Sequence, residues 1–95
     1  MTLQLTPSEV KQCKNALLSA FPRRGNLEQL LYFRLEVSLD QIVAPGPYDQ
    51  VVTDLVIWAN SQGKTELLLT AARSKNPGNS QLQQFEKETY VWIWN

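Results

Sequence analysis

The chain contains no histidine, and this absence removes the commonest metal ligand and general base at neutral pH. It contains one cysteine, Cys13, so an intramolecular disulfide is impossible. Cys13 falls on the apolar face of a predicted helix, where a small buried hydrophobe is expected rather than a reactive thiol. Net charge is absent too: nine Lys and Arg balance nine Asp and Glu. A binder of phosphate backbones needs an excess of cations, so the balance argues against a nucleic-acid partner. Zero net charge also leaves little repulsion between copies, and self-association is not opposed. No apolar run approaches the roughly 20 residues that span a bilayer, and MTLQLTPSE lacks the basic and apolar regions of a signal peptide. The expected setting is cytoplasmic, without a membrane partner.

What is present serves packing. At 95 residues the chain is read as one domain, residues 1–95, and its 43% apolar content is enough for a small core. Thr6-Pro7-Ser8-Glu9 is a helix start, with a capping Thr, a Pro at the first helical position and a Glu to close a capping box. Val10, Cys13, Leu17, Ala20 and Phe21 then share one face, and Pro22 ends the helix. Arg23-Arg24-Gly25 reads as a turn, with Asn26 capping the next helix and Gln29 as its box partner. Leu27, Leu30, Leu31 and Leu35 form that helix's stripe. Arg34 falls inside the stripe, where an unpaired charge would cost several kcal/mol; burial and a carboxylate partner, Asp54 or Asp40, are therefore expected. Ser38-Leu39-Asp40-Gln41 reads as another capping box, opening a short helix that stops before Ala44-Pro45-Gly46-Pro47.

The fourth helix, Tyr48 to about Gln62, is apolar round most of its circumference. That pattern predicts a central element with Trp58 in the core. Gly63 is its stop. A fifth helix from Thr65 to Lys75 should bury Leu67, Leu68, Ala71 and Ala72, leaving Thr70, Arg73 and Ser74 outside. Asn76-Pro77-Gly78-Asn79 turns the chain into a last helix presenting Leu82, Phe85, Thr89, Trp92 and Ile93; residues 86–95 are either its end or a tail. The expected fold is an all-α, compact antiparallel bundle of about five to six helices.

Chemistry is weakly specified. Gly63-Lys64-Thr65 has the ending of a phosphate-binding loop, but Trp58 stands where that loop needs its first glycine, and a helix precedes it rather than a strand. A helix–helix connection is the better reading. Glu36, Asp40, Asp49 and Asp54 are better explained as caps and surface charges than as an acid/base pair. Two rival readings are a small regulatory subunit or enzyme acting on a nucleotide, and a helical nucleic-acid-binding domain. The missing loop glycine and histidines weigh against the first, and the neutral charge against the second. No catalytic residue, cofactor or metal is expected. Partner contacts are expected at turns and outer faces: Arg23, Arg24, Lys64 and Arg73 on a positive side, Glu36, Asp40, Asp49 and Glu66 on a negative side, and Leu69 as an apolar anchor off the core stripe.

Three segments in order, LTPSEVKQCKNALLSAFP, LEQLLYFRLEVSLDQI and VVTDLVIWANSQGKTELLLTAARSKNPGNSQL, resemble the effector-associated domain, type 1, over about residues 3–85. The resemblance implies a death-domain-like fold. It implies an adaptor for effectors such as proteases and NTPases in bacterial conflict or immune signalling. Recruitment would run through homotypic contact with like-folded domains. Independently of the resemblance, both charge signs on one copy supply the two halves of a head-to-tail contact, so self-association into weak oligomers or filaments is expected. The family brings no catalytic residues to carry over.

Overall fold

The computed structural model describes residues 5–85 and 87. Thr89, Trp92 and Ile93, expected on the last helix, lie outside the described residues, as does the tail from 90. Within the described residues the chain is an all-α bundle, and every element can be traced to a local signal or to the core it covers.

Helix α1, Pro7–Ala20, starts as its sequence dictates. The Thr6 Oγ1 accepts from the Glu9 N–H at 3.3 Å, and the Glu9 carboxylate accepts from the Thr6 N–H at 2.9 Å. This reciprocal box satisfies two donors that the first turn cannot use. Cys13, Ala16, Leu17 and Ala20 are buried. Cys13 is fully enclosed, and burial alone pushes its thiol up to about 12.

At the other end Pro22 stops the helix, and its last carbonyls have no intrahelical donor. They are met from a distance. Tyr48 donates its hydroxyl to the Phe21 carbonyl, and Asn76 Nδ2 donates to the Ala20 carbonyl at 3.1 Å. Asn79 Nδ2 reaches Ser19 Oγ at 3.3 Å. The Asn-Pro-Gly-Asn turn is therefore also the clasp of α1.

Helix α2, Arg24–Leu30, starts earlier than its sequence suggests. Arg23 is the N-cap, no side chain caps it, and Arg24 and Gly25 belong to the first turn. The predicted Asn26–Gln29 box is not made. The helix runs without a break into a π-helical turn, Leu31–Leu35, closed by Glu36 at φ 58°. The N–H groups of Glu36 and Val37 both point to the Leu31 carbonyl. A π-turn carries an extra residue per turn and re-phases the helix surface. Leu27, Leu30, Leu31 and Leu35 remain buried, but Arg34 is turned out to solvent. The expected buried ion pair is wrong: Arg34 donates to Ser74 Oγ at 3.1 Å, Asp54 accepts from Gln50, and Asp40 belongs to Arg24.

Helix α3, Leu39–Ile42, is a single turn whose N-cap, Ser38, makes no side-chain cap bond. Helix α4, Tyr48–Ser61, packs most extensively against α1 and also meets α3 and α5. Val51, Val52, Leu55, Val56 and Ala59 are buried, but the helix is not enclosed all round: Ile57 is 51% exposed and Trp58 sits half-buried against the core. Gly63, at φ 69°, closes α4 with the Lys64 N–H on the Ala59 carbonyl and the Gly63 N–H on that of Asn60. That is the Schellman pattern, which suits glycine because a Cβ is strained at positive φ.

Helix α5 spans Thr65–Lys75. Its buried face is Thr65, Leu68, Leu69, Ala71 and Ala72, while Leu67 is 48% exposed. Leu67 and Leu69 thus exchange their expected places. Thr70, Arg73 and Ser74 are exposed as expected. Residues 80–85 and 87 are the described part of helix α6, opened by Asn79, whose Oδ1 accepts from the Leu82 N–H at 2.9 Å. Leu82 and Phe85 are buried in the common core.

Among the described residues one polar atom is out of place in that core. Thr65 is 1% exposed and its Oγ1 has no hydrogen-bond partner. A buried unpaired hydroxyl costs about 1–3 kcal/mol. Thr65→Val keeps the shape and removes the unpaired group. It is expected to raise unfolding free energy in urea by about 1 kcal/mol; a loss of stability would show that the hydroxyl has a partner.

Candidate interaction surface

The charges singled out in the sequence fall into several small groups rather than two opposed faces. Arg24 gathers the first. Its Nε lies 2.8 Å from Glu28 Oε1, one helical turn on, and its Nη2 lies 2.7 Å from Asp40 Oδ1 at the start of α3. Arg24 and Asp40 were placed on opposite sides of a contact; in the structure they hold each other. All three side chains are substantially exposed, so the cluster contributes little stability. Arg23 sits beside it, exposed at the N-cap of α2. Asp49, in the first turn of α4, pairs with Lys14 of α1 at 3.3 Å.

Glu36 is exposed at the left-handed end of the π-turn. Lys64 follows the Gly63 stop, with Nζ 5.4 Å from the centroid of the Trp58 ring, a cation–π contact. Glu66 is half-buried in the first turn of α5, where a carboxylate suits the helix dipole. Arg73 is exposed in its last turn, next to the Ser74 that receives Arg34. Leu69 is fully buried and cannot serve as an apolar anchor.

The apolar residues that do reach solvent are different ones. Tyr32 is 64% and Phe33 74% exposed, and their rings meet edge to face with centroids 5.3 Å apart. The π-turn that holds them leaves positions 32, 33 and 34 together on the outside. A shallow depression of about 230 Å³ lies at their foot, lined by Glu28, Gln29, Ser38 and Leu39. The sequence held a signal for this pair: two aromatics lie between the buried Leu31 and Leu35, off the leucine stripe.

A second apolar feature lies between α1 and α4. Leu5, Val10 and Ile57 line a groove of about 460 Å³, with Lys11 and Lys14 on its edge. One end of it is held by Asn60, whose Oδ1 accepts from the Leu5 N–H at 2.8 Å and whose Nδ2 donates to the Leu5 carbonyl at 3.2 Å.

The four carboxylates considered for acid/base work are dispersed. Asp40, Asp49 and Asp54 each serve a local partner, and Glu36 ends a turn. Among the described residues no group of three or more His, Cys, Asp or Glu side chains converges to hold a metal. The Gly63-Lys64-Thr65 segment is a helix–helix connection, with the Thr65 hydroxyl turned into the core. Among the described residues no helix is long and apolar enough to cross a membrane.

No curated protein and no solved structure matches the chain. The family model for effector-associated domain 1, which is not a known catalytic family, matches residues 3–90. With nearly the whole chain covered by that match, this protein belongs to the effector-associated domain 1 family.

Proposed function

We propose that this chain is an adaptor, a homotypic interaction module that recruits effectors such as proteases or NTPases in bacterial conflict or immune signalling. The observation that carries the reading is the edge-to-face pair of Tyr32 and Phe33, held in water on an otherwise well-packed small domain. Two large rings exposed side by side support a contact surface, since aromatics are enriched where partners dock. Family membership supplies the effector context. The partners are like-folded domains on other proteins. The charged positions Arg23, Arg24, Glu36, Asp40, Asp49, Lys64, Glu66 and Arg73 would then tune orientation and partner choice, as rim charges do.

Exposed ion pairs are individually worth roughly 0–1 kcal/mol, so single domains should bind weakly and need clustering by fused partners. In a pull-down between the chain and a like-folded domain displayed on a multivalent bead, capture is expected at low salt and reduced capture at high salt. Arg23 is the informative residue to reverse, because it forms no ion pair among the described residues. Arg23→Glu should lower capture several-fold while leaving the fold intact. Purified protein should hydrolyse neither ATP nor GTP. Turnover lost on Lys64→Ala would replace this reading with a nucleotide-directed one.

A further inference from the structure

We infer that a second copy of this chain docks head to tail, its Tyr32–Phe33 pair entering the apolar groove between α1 and α4. The inference rests on the interaction-module reading and names its surfaces.

The two features are carried by different helix pairs. The π-turn packs on α2 and α5, whereas the groove is formed where α1 meets α4. Both are unfilled within one copy: the rings stand exposed and Ile57 is half in water. The head-to-tail contact differs from a reciprocal two-fold dimer, in which each copy's rings would fill the other's groove. It leaves a free ring pair at one end and a free groove at the other, and so propagates into a ring or filament.

Size and charge agree. The groove, about 460 Å³, is large enough for two aromatic side chains, and its apolar lining matches them. Glu36, exposed three residues after Phe33, has no ion-pair partner among the described residues. Lys11, exposed on the edge of the groove, has none either. Docking brings these opposite charges to the same rim. Two rings bury roughly 300–500 Å² between them, well below the ~800 Å² per partner of a stable interface. The contact is therefore weak for one pair of copies and gains strength in a chain of them.

Complementation tests this. Wild type, Phe33→Ser and Ile57→Ser are each followed by sedimentation up to about 1 mM, the range where weak contacts populate. Both substitutions are on exposed positions, and circular dichroism with a thermal melt confirms that the folds are retained. Wild type should form a concentration-dependent series of oligomers, and each variant alone should lose association at least about tenfold. The equimolar mixture should form a one-to-one dimer and nothing larger, because it contains one intact ring pair facing one intact groove. Reversal at Lys11→Glu should weaken wild-type association, and added Glu36→Lys should restore part of it. If wild type associates but the variants do so equally, or their mixture stays monomeric, the surfaces are wrong and the interaction reading stands. If wild type remains monomeric throughout, self-association and these surfaces both fall.

Discussion

Leu55→Ala is expected to lower the unfolding free energy by about 3–4 kcal/mol, the cost of removing a leucine from a site that cannot collapse around the gap. Leu55 has no exposed surface and lies on α4 among Val51, Val52, Val56 and Ala59, all equally enclosed. Its own helix and the α1 helix packed against it are fixed by bonds of their own. The Thr6–Glu9 box holds the start of α1, and the Schellman stop at Gly63 holds the exit of α4. Relaxation into the cavity is therefore small. Against a total stability of roughly 5–10 kcal/mol for a domain of this size, the loss takes a large share. Urea denaturation measures it, with Ile57→Ala as the contrast: that side chain is half in water and should cost under about 1 kcal/mol. Equal losses at the two positions would mean that α4 is not seated with its 51–55–59 side inward.

The second large effect is a loss of stability in alkali caused by Cys13. In the unfolded chain its thiol ionises near the ordinary value of 9.0; in the folded protein burial holds it protonated up to about 12. Well below 9.0 both states carry the proton, and the thiol's contribution is complete and independent of pH. As pH rises through 9.0 the unfolded chain alone releases the proton, so stability falls. The slope approaches about 1.4 kcal/mol per pH unit until the folded thiol itself ionises. The Tyr48 phenol acts in the same direction, since burial raises it and its proton is donated to the Phe21 carbonyl. Comparing the wild type with Cys13→Ala isolates the thiol. The packing loss in the variant is a constant offset, whereas the advantage of the wild type should shrink by about 1.6 kcal/mol between pH 9 and pH 10.5. An advantage that stays level over this range would show that the thiol reaches water without global unfolding.

Legibility in the sequence followed the range of the interaction concerned. The Thr6 box and the Gly63 stop are made between residues a few positions apart, and each is readable as written; the Asn79 cap of α6 is equally local, but Asn79 reads in the sequence only as part of a turn. The buried face of α1 was readable for the same reason, because its period is unbroken from Cys13 to Ala20. Arg34 was misplaced because helical spacing was assumed to continue through Leu31–Leu35. The π-turn there inserts a residue and rotates the surface, and nothing in LYFRL announces it. On α5 three consecutive leucines leave the phase open. It is set by Leu68, Leu69 and Ala72 entering the core together, which carries Thr65, one turn before Leu69, inward and leaves Leu67 outside. Trp58 reads as a core residue because α4 looks apolar nearly all round, but a small domain has too few neighbouring helices to cover every side, and Trp58 is only half-buried while Ile57 is left out. The capping of α2 and α3 by Asn26 and Ser38 failed because Arg24 turns the chain into helix earlier and the Gln41 N–H goes to the Ser38 carbonyl rather than to its hydroxyl. As to the candidate surface, charge positions were visible at turns. That Arg24 and Asp40 consume one another, and that Phe33 stands out beside Tyr32, depends on how α3 and the π-turn are set in space.

The clasp on the end of α1 bears on the order in which the chain assembles. The groups that receive its final carbonyls come from 27 and 56 residues further along, and the contact with Ser19 from 60 residues further along. During synthesis, the first helix therefore emerges well before the atoms that finish it. Its capping box lets it form early from the front, while its rear turn stays frayed until the Asn76–Asn79 segment has left the ribosome. Completion waits for closure of a loop more than half the length of the chain, an entropic delay that local helix formation does not shorten. A chain truncated before Asn76 leaves the Ala20 carbonyl unanswered, so a turn far along the sequence decides when the first helix is finished.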